Sequence, residues 1–133
     1  MPFDAFLKID GITGENHNGS IAIESFSWGV TSPRDLQTGG VAGKPVFTDL
    51  NIVKMVDVTS PKLFALAGDG SVIPAVQLTC RKAGGQGIAT YKLQGVLIAL
   101  LRDAGNVHGG EFPTEEISFN FKKITMSVDR GKA

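Results

Sequence analysis

IATYKLQGVLIALLR, residues 88–102, is a long run with a strand-like pattern and no proline. It is far longer than the five or six residues of an ordinary strand, and its only break signal is Gly95. Apolar residues recur at alternate positions, the period of a β-strand; they are Ala89, Tyr91, Leu93, Leu97, Ala99 and Leu101. Because a glycine inside a strand often marks a bend, this stretch predicts one long, bent strand.

The last segment of the chain shows the same period but changes phase. Its apolar residues are Ile117, Phe119 and Phe121, followed by Ile124, Met126 and Val128. The change from odd to even positions falls around Lys122 and Lys123, and it predicts a β-bulge that turns the buried face over. The first strand alternates in the same way, with Phe3, Ala5, Leu7 and Ile9 on one face.

One segment, SPKLFALAGDG at residues 60–70, has a helical pattern. Ser60 is a suitable N-cap, Pro61 suits the first helical position, and Gly68 can adopt the left-handed C-cap conformation. The apolar stripe of Leu63, Phe64 and Ala67 should dock on the strands. The predicted fold is mainly β: a small β-barrel, or tightly wrapped two-sheet sandwich, of long, bent antiparallel strands. One short α-helix, at about 61–67, flanks it, and residues 1–133 form a single domain.

Composition excludes several classes of function. The 13 basic and 13 acidic side chains cancel, so no net field attracts nucleic acid or an anionic membrane. The single cysteine, Cys80, continues an apolar alternation and is interpreted as a core residue rather than a nucleophile. The N-terminus lacks the pattern of a secretory signal and no segment has the length of a membrane span, so we expect synthesis in the cytosol.

TGGVAGKP, residues 38–45, superficially resembles a phosphate-binding loop. Only three residues separate Gly39 from Gly43, where the motif needs four, and Pro45 replaces the magnesium-binding serine or threonine. The loop therefore needs another explanation.

No other residues assemble into a predicted site. His17 and His108 lie in separate glycine-rich loops without further metal ligands at suitable spacing. Glu115 and Glu116 are neighbours on opposite faces of a strand, so they are interpreted as a polar strand start. RKAGGQG, residues 81–87, fits a hairpin turn better than an anion cradle. We predict no enzyme activity and no catalytic, cofactor-binding or metal-binding residues.

The long strand also has a partly apolar second face, formed by Val96, Ile98 and Leu100. Either another part of the same domain covers this face, or another subunit does. The sequence leaves these two possibilities open.

Five stretches, in this order, resemble the Hcp family, the tube proteins of bacterial type VI secretion. They are FDAFLKIDGITGE near the start, ESFSWGVTSP at 24–33, SPKLFALAGDG at 60–70, AVQLTCRKAGG at 75–85 and PTEEISFNFKKI at 113–124. No single stretch is decisive, but together they span nearly the whole chain.

The resemblance implies a subunit that assembles into homo-hexameric rings, which stack into a hollow tube. The implied partners are a spike protein at the tube tip, a contractile sheath and secreted effectors. The protein would assemble in the cytosol and be expelled without a cleaved signal peptide. A tube protein of a related phage-like contractile particle, or a small anion-binding or ligand-binding β-barrel, are the alternative interpretations.

The resemblance also explains the glycine-rich loop, because residues 31–45 occupy the place of a long family loop that reaches the adjacent ring. The candidates for ring-to-ring contact are Arg34, Asp35, Gln37, Gly39, Gly40 and Lys44. Val96, Ile98 and Leu100 are the candidates for contact within the ring.

Overall fold

The computed structural model describes residues 3–15, 19–33, 43–82, 88–110 and 112–129, which contain nine β-strands and one α-helix. The strands before the helix are β1 (Phe3–Ile9), β2 (Ile21–Ile23), β3 (Ser25–Ser27), β4 (Val30–Thr31), β5 (Val46–Phe47) and β6 (Leu50–Met55). The helix α1 (Ser60–Asp69) is followed by β7 (Ile73–Lys82), β8 (Ile88–Ala104) and β9 (Thr114–Asp129). The predicted long strand is therefore β8, with 17 residues, and its partner β9 has 16.

Seven strands form one antiparallel sheet in the order β2-β1-β7-β8-β9-β6-β3. The two outer strands, β2 and β3, follow each other in the chain with only Glu24 between them. The Glu24 N–H donates to the Val53 carbonyl oxygen at 2.7 Å, which ties this connection to β6. The sheet therefore curls until its two edges nearly meet, and the prediction of a small β-barrel with one flanking helix is confirmed.

The buried face of the β8–β9 pair changes sides at one point. In β8, Leu93 is buried before Gly95 and Val96 is buried after it; in β9, Phe121 and Ile124 are half-buried on either side of the reversal. Gly95 has a φ of +63°, a left-handed conformation that favours glycine. The predicted change of face in β9 is thus confirmed, and β8 changes face at the same level.

The mechanism of that reversal differs from the prediction. Pairing keeps one register from Val96–Phe121 to Gln94–Lys123, so neither strand carries an extra residue there. The register shift lies elsewhere, between Ile98 and Leu100. The predicted bulge at Lys122 and Lys123 was therefore wrong, because both strands turn over together instead of one bulging against the other.

The reversal also divides the alternating apolar residues of β8 between the two faces of the strand. Between Gly95 and the register shift after Ile98 the inward positions are even, so Val96 and Ile98 enter the core while Leu97 is 38% exposed. The core contains apolar residues from β8 and β9, from other strands of the same sheet and from the helix. Its buried members are Leu7, Ile9, Ile12, Ile21, Leu50, Ile52, Leu63, Ile73, Val76, Leu78, Leu93, Val96, Ile98, Ile117 and Phe119.

Helix α1 is longer than predicted and has different caps. Thr59 is the N-cap, without a side-chain capping bond, and Gly70 ends the helix in the left-handed conformation that was expected of Gly68. Leu63 is fully buried as predicted, but Phe64 is 68% exposed. The helix therefore docks through a narrower stripe than the sequence indicated.

Substituting Gly95 tests the face reversal. An alanine Cβ at Gly95 would lie 3.1–3.2 Å from the Lys122 side chain, and the residue would keep a positive φ. We expect Gly95→Ala to lower the free energy of unfolding by about 1–3 kcal/mol in urea denaturation.

Gly68→Ala is the matched control. Gly68 lies inside α1 with open space around its missing side chain, so the same substitution should raise stability by about 0.5–1 kcal/mol. Equal effects of the two substitutions would contradict the special role of Gly95.

Candidate assembly surfaces and a buried ionic cluster

The loop predicted to contact the adjacent ring leaves the barrel from the two-stranded ribbon β4–β5. Val30 pairs with Phe47 and Thr31 with Val46. The ribbon is closed at its other end by Thr48, whose N–H donates to the Gly29 carbonyl at 2.9 Å. The ribbon therefore holds the two ends of the loop side by side.

The ribbon is attached to β9 and is apolar on its surface. The Phe47 ring lies 6.1 Å from the Phe121 ring in an edge-to-face arrangement. Val30, Val46 and Phe47 are each about half exposed. An apolar base of this kind is a suitable surface for contact with another molecule.

The predicted ring-stacking residues are only partly placed. Lys44 is exposed, at the end of the loop that enters β5. The others lie outside the described residues; they are Arg34, Asp35, Gln37, Gly39 and Gly40.

The structure separates the three candidates for contact within the ring. Val96 is fully buried and Ile98 is 8% exposed, so the chain's own core already covers both side chains. Leu100 is 42% exposed and remains a candidate. The sequence left open whether the same domain or another subunit covers the second face of β8. For Val96 and Ile98, the same domain covers it.

Sequence reasoning missed other apolar side chains that the same hairpin exposes. Leu97 on β8 is 38% exposed, and Met126 and Val128 on β9 are 58% and 59% exposed. Met126 lies directly opposite Tyr91, whose ring packs edge-on against Trp28 at 5.8 Å. The alternation of apolar residues in β9 was visible in the sequence. The sequence did not show that Met126 and Val128 lie beyond the core and are exposed.

Both long strands extend past their other neighbours. Pairing of β7 with β8 ends at Val96, and pairing of β6 with β9 ends at Phe119. Beyond these points, residues 97–104 of β8 pair only with β9, and residues 120–128 of β9 pair only with β8, among the described strands. These two margins lie on opposite sides of the hairpin, and helix α1 packs against β8.

A cluster of ionic side chains lies buried where β6, α1 and β9 meet, and sequence reasoning missed it entirely. The Lys54 ammonium is fully buried and lies 3.0 Å from Asp57 Oδ1 and 3.0 Å from Glu115 Oε1. It also donates to the Met55 carbonyl at 3.0 Å and to Ser60 Oγ at 3.2 Å. Every polar contact that a buried ammonium requires is therefore present.

Ser60 connects the cluster to the helix. Its hydroxyl donates to Glu115 Oε1 at 3.0 Å and accepts the Asp57 N–H at 3.0 Å. These bonds explain why Ser60 does not serve as the N-cap: its hydroxyl bonds to β9 and to the connection between β6 and α1 rather than to the first helical turn.

The two carboxylates of the cluster respond differently to their surroundings. Burial acts to raise the pKa of Asp57, but hydrogen bonds from Thr59 and Lys54 outweigh it and hold that pKa below its ordinary value. Burial raises the pKa of Glu115, as does a hydrogen bond with Asp103, and the opposing effects of Lys54 and Ser60 do not cancel this. Glu115 and Glu116 do stand at the polar start of β9 and point to opposite faces, as interpreted from the sequence, but the structure buries Glu115.

The other residues considered from the sequence form no site in the part of the chain that is described. His108 is exposed in a turn, and His17 lies outside the described residues. Cys80 is half-buried against the core, and burial raises the pKa of its thiol. Arg81 pairs with Ile88, as a hairpin connection across 83–87 requires.

Two further features are absent from the same described ranges. Their histidine, cysteine and acidic side chains include no group of three placed to hold a metal ion. The helix there is neither long nor apolar enough to cross a membrane.

Removing the buried cation tests the ionic cluster. We expect Lys54→Met to lower the free energy of unfolding by about 3–5 kcal/mol at pH 7.5, because it leaves Glu115 and Asp57 without their shared cation. The exposed pair Arg102–Glu116, at 2.7 Å, is the control, and Arg102→Met should cost about 1 kcal/mol or less. Similar losses of stability for both variants in urea denaturation would contradict a special role for the buried Lys54.

Comparison with known proteins identifies the family. A family model described as "Type VI secretion system effector, Hcp" matches residues 6–128. Protein hcp1 of Pseudomonas aeruginosa is 32% identical over 143 aligned residues, covering 100% of this chain and 87% of the relative. The Major exported protein of the same organism is 27% identical over 124 residues, covering 85% of this chain and 71% of the relative.

Solved structures agree with the sequence matches. The structure of a type six secretion system protein superposes with a TM-score of 0.84 at 28% identity, covering 94% of this chain and 83% of the other. The crystal structure of Hcp1 from Salmonella typhimurium gives a TM-score of 0.76 at 25% identity, covering 96% and 94%. The family model spans the barrel from β1 to β9 and the fold agrees with it, so the chain belongs to the Hcp family of type VI secretion tube proteins.

Proposed function

We propose that six copies of this chain close into a ring and that these rings stack into the tube of a type VI secretion system. The role is structural rather than catalytic, and the subunit leaves the cell as part of the expelled tube. A spike protein at the tip, a surrounding contractile sheath and effectors carried with the tube are the proposed partners. Assembly takes place in the cytosol, and export requires no cleaved signal peptide.

The two unpaired margins of the β8–β9 hairpin carry this proposal. A closed ring needs two different surfaces on each copy, because each subunit meets one neighbour with one surface and the other neighbour with the second. The margin of β8 exposes Leu97 and Leu100, and β9 exposes Met126 and Val128. Apolar side chains beside unpaired backbone groups favour contact with another chain.

The charge of the chain supports the same assembly. Equal numbers of acidic and basic side chains leave no net charge, so copies do not repel each other as they pack. The family match over residues 6–128 favours a type VI tube over a phage-like particle.

The mass of the protein in solution tests the ring. Six copies of the 14.0 kDa chain weigh roughly 84 kDa, so light scattering should give this mass and negative-stain images should show rings with a central hole. A monomer at every protein concentration would overturn the proposal.

A charged substitution on β9 tests the contact within the ring. We expect Met126→Asp to shift the ring towards monomer by at least tenfold in the association constant, because it places a carboxylate in an apolar contact. Thr125→Asp, next to it on the opposite face of the same strand, introduces the same carboxylate into β9 and should leave the ring intact. Retention of rings by Met126→Asp would remove Met126 from the interface.

Substitutions in the 31–45 loop test stacking separately. Exchanging the charges of Arg34 and Asp35 should leave the ring mass unchanged and reduce the formation of tubes from rings, because the loop contributes to stacking rather than to the barrel. Lys62→Glu, on the exposed side of α1, is the control and should leave stacking unchanged. Loss of the folded domain in the loop variant would contradict the assignment.

A further inference from the structure

We propose that Asp103 and Glu115 form a carboxyl pair that holds one proton between them in mildly acidic solution and thereby fastens the end of β8 to the cluster that docks helix α1. The inference concerns the folded subunit and does not depend on the proposed ring.

The strand register brings the two carboxyl groups together. Asp103 lies directly opposite Glu115 in the antiparallel pair, and directly opposite residues point to the same face of a sheet. The preceding pair, Arg102 and Glu116, points to the other face and forms its own salt bridge at 2.7 Å. Arg102 is therefore engaged away from Glu115.

The charges around Glu115 do not balance. Lys54 from β6 is the cation that contacts it, and this same ammonium also binds Asp57. Asp103 faces Glu115 from β8, and Ser60 contributes only a neutral hydroxyl from α1. With all three carboxyl groups ionised, one cation faces the buried Glu115, the half-buried Asp57 and the exposed Asp103, so uptake of a proton relieves repulsion between carboxylates.

Glu115 is the member that binds the proton. It is 1% exposed, and both its burial and its hydrogen bond with Asp103 raise its pKa above the ordinary value of 4.5. Asp57 behaves in the opposite way, because hydrogen bonds from Thr59 and Lys54 outweigh its burial and lower its pKa below 3.8. The protonated cluster then consists of a Lys54–Asp57 ion pair and a Glu115 carboxyl that donates to Asp103.

The two shifts act on stability in opposite directions. Glu115 binds its proton more tightly in the folded chain, so its contribution is complete below the unfolded pKa and is lost as pH rises through the folded pKa. The contribution of Asp57 is present above its unfolded pKa and is lost as pH falls through its lowered folded pKa. The cluster therefore stabilises the fold most between the two folded pKa values, in mild acid.

The pair lies near an exposed end of the hairpin. Asp103 is the penultimate residue of β8 and precedes the turn that carries Val107, which is 94% exposed. Glu115 bonds to Ser60 at the start of α1. Protonation therefore secures the hairpin end and the helix terminus together.

Carbon-13 NMR of the Glu115 side-chain carboxyl, followed from pH 7.5 downwards, tests the proposal. We expect a midpoint above the ordinary glutamate value of 4.5 in the wild type. In Asp103→Asn the midpoint should shift downwards, because an amide donates to the Glu115 carboxylate without requiring a proton. Asp4→Asn, at an exposed position of β1, is the matched control and should leave the Glu115 midpoint unchanged.

A second variant keeps the test independent of how well Asp103→Asn folds. Glu115→Gln imitates the protonated side chain, so its melting temperature should rise less than that of the wild type when pH is lowered from 7.5 to 5.5. A wild-type midpoint at or below 4.5, or an Asp103→Asn titration that superimposes on the wild type, would overturn the proposal. The proposal would also be overturned if Glu115→Gln retained the wild-type dependence of melting temperature on pH.

Discussion

β8 and β9 pair along nearly their whole length, and the rest of the barrel depends on how this pair turns over at Gly95 and Lys122. A regular strand could not bury both Leu93 and Val96, because residues three apart point to opposite faces. The left-handed conformation of Gly95 resolves this, and the missing Cβ leaves space for the Lys122 side chain. One hairpin can therefore supply core residues on both sides of the bend.

The ionic cluster performs a second task, which is to attach a helix that has little stability of its own. Ten residues are too few to be helical alone in water, and α1 buries its Leu63 side chain against the barrel. Burying Lys54 costs desolvation energy, which is offset by its bonds to Asp57, Glu115, Ser60 and a carbonyl. Because these bonds have fixed directions, they define where the helix begins more strictly than apolar packing does.

The same features favour a function that is carried by surfaces. The polar residues with unusual environments, Lys54 and Glu115, are enclosed and used for structure. The surface instead exposes apolar side chains on the long hairpin and on the β4–β5 ribbon, together with strand margins that no described strand pairs. Surfaces of this kind fit a protein that binds copies of itself, as expected of a tube subunit.

The sequence alone determined the features that follow from local periodicity. Alternating apolar residues predicted long, bent strands, the pattern at 60–70 predicted the helix, and ordered stretches pointed to the family. It did not determine which side of β8 is buried after Gly95, because a change of face depends on backbone conformation and on the partner strand. It also did not pair Lys54 with Glu115, since these residues lie in β6 and β9 and meet only when the sheet forms. Tertiary structure therefore decided which apolar residues remain exposed and which charges are buried, because both depend on contacts between segments distant in sequence.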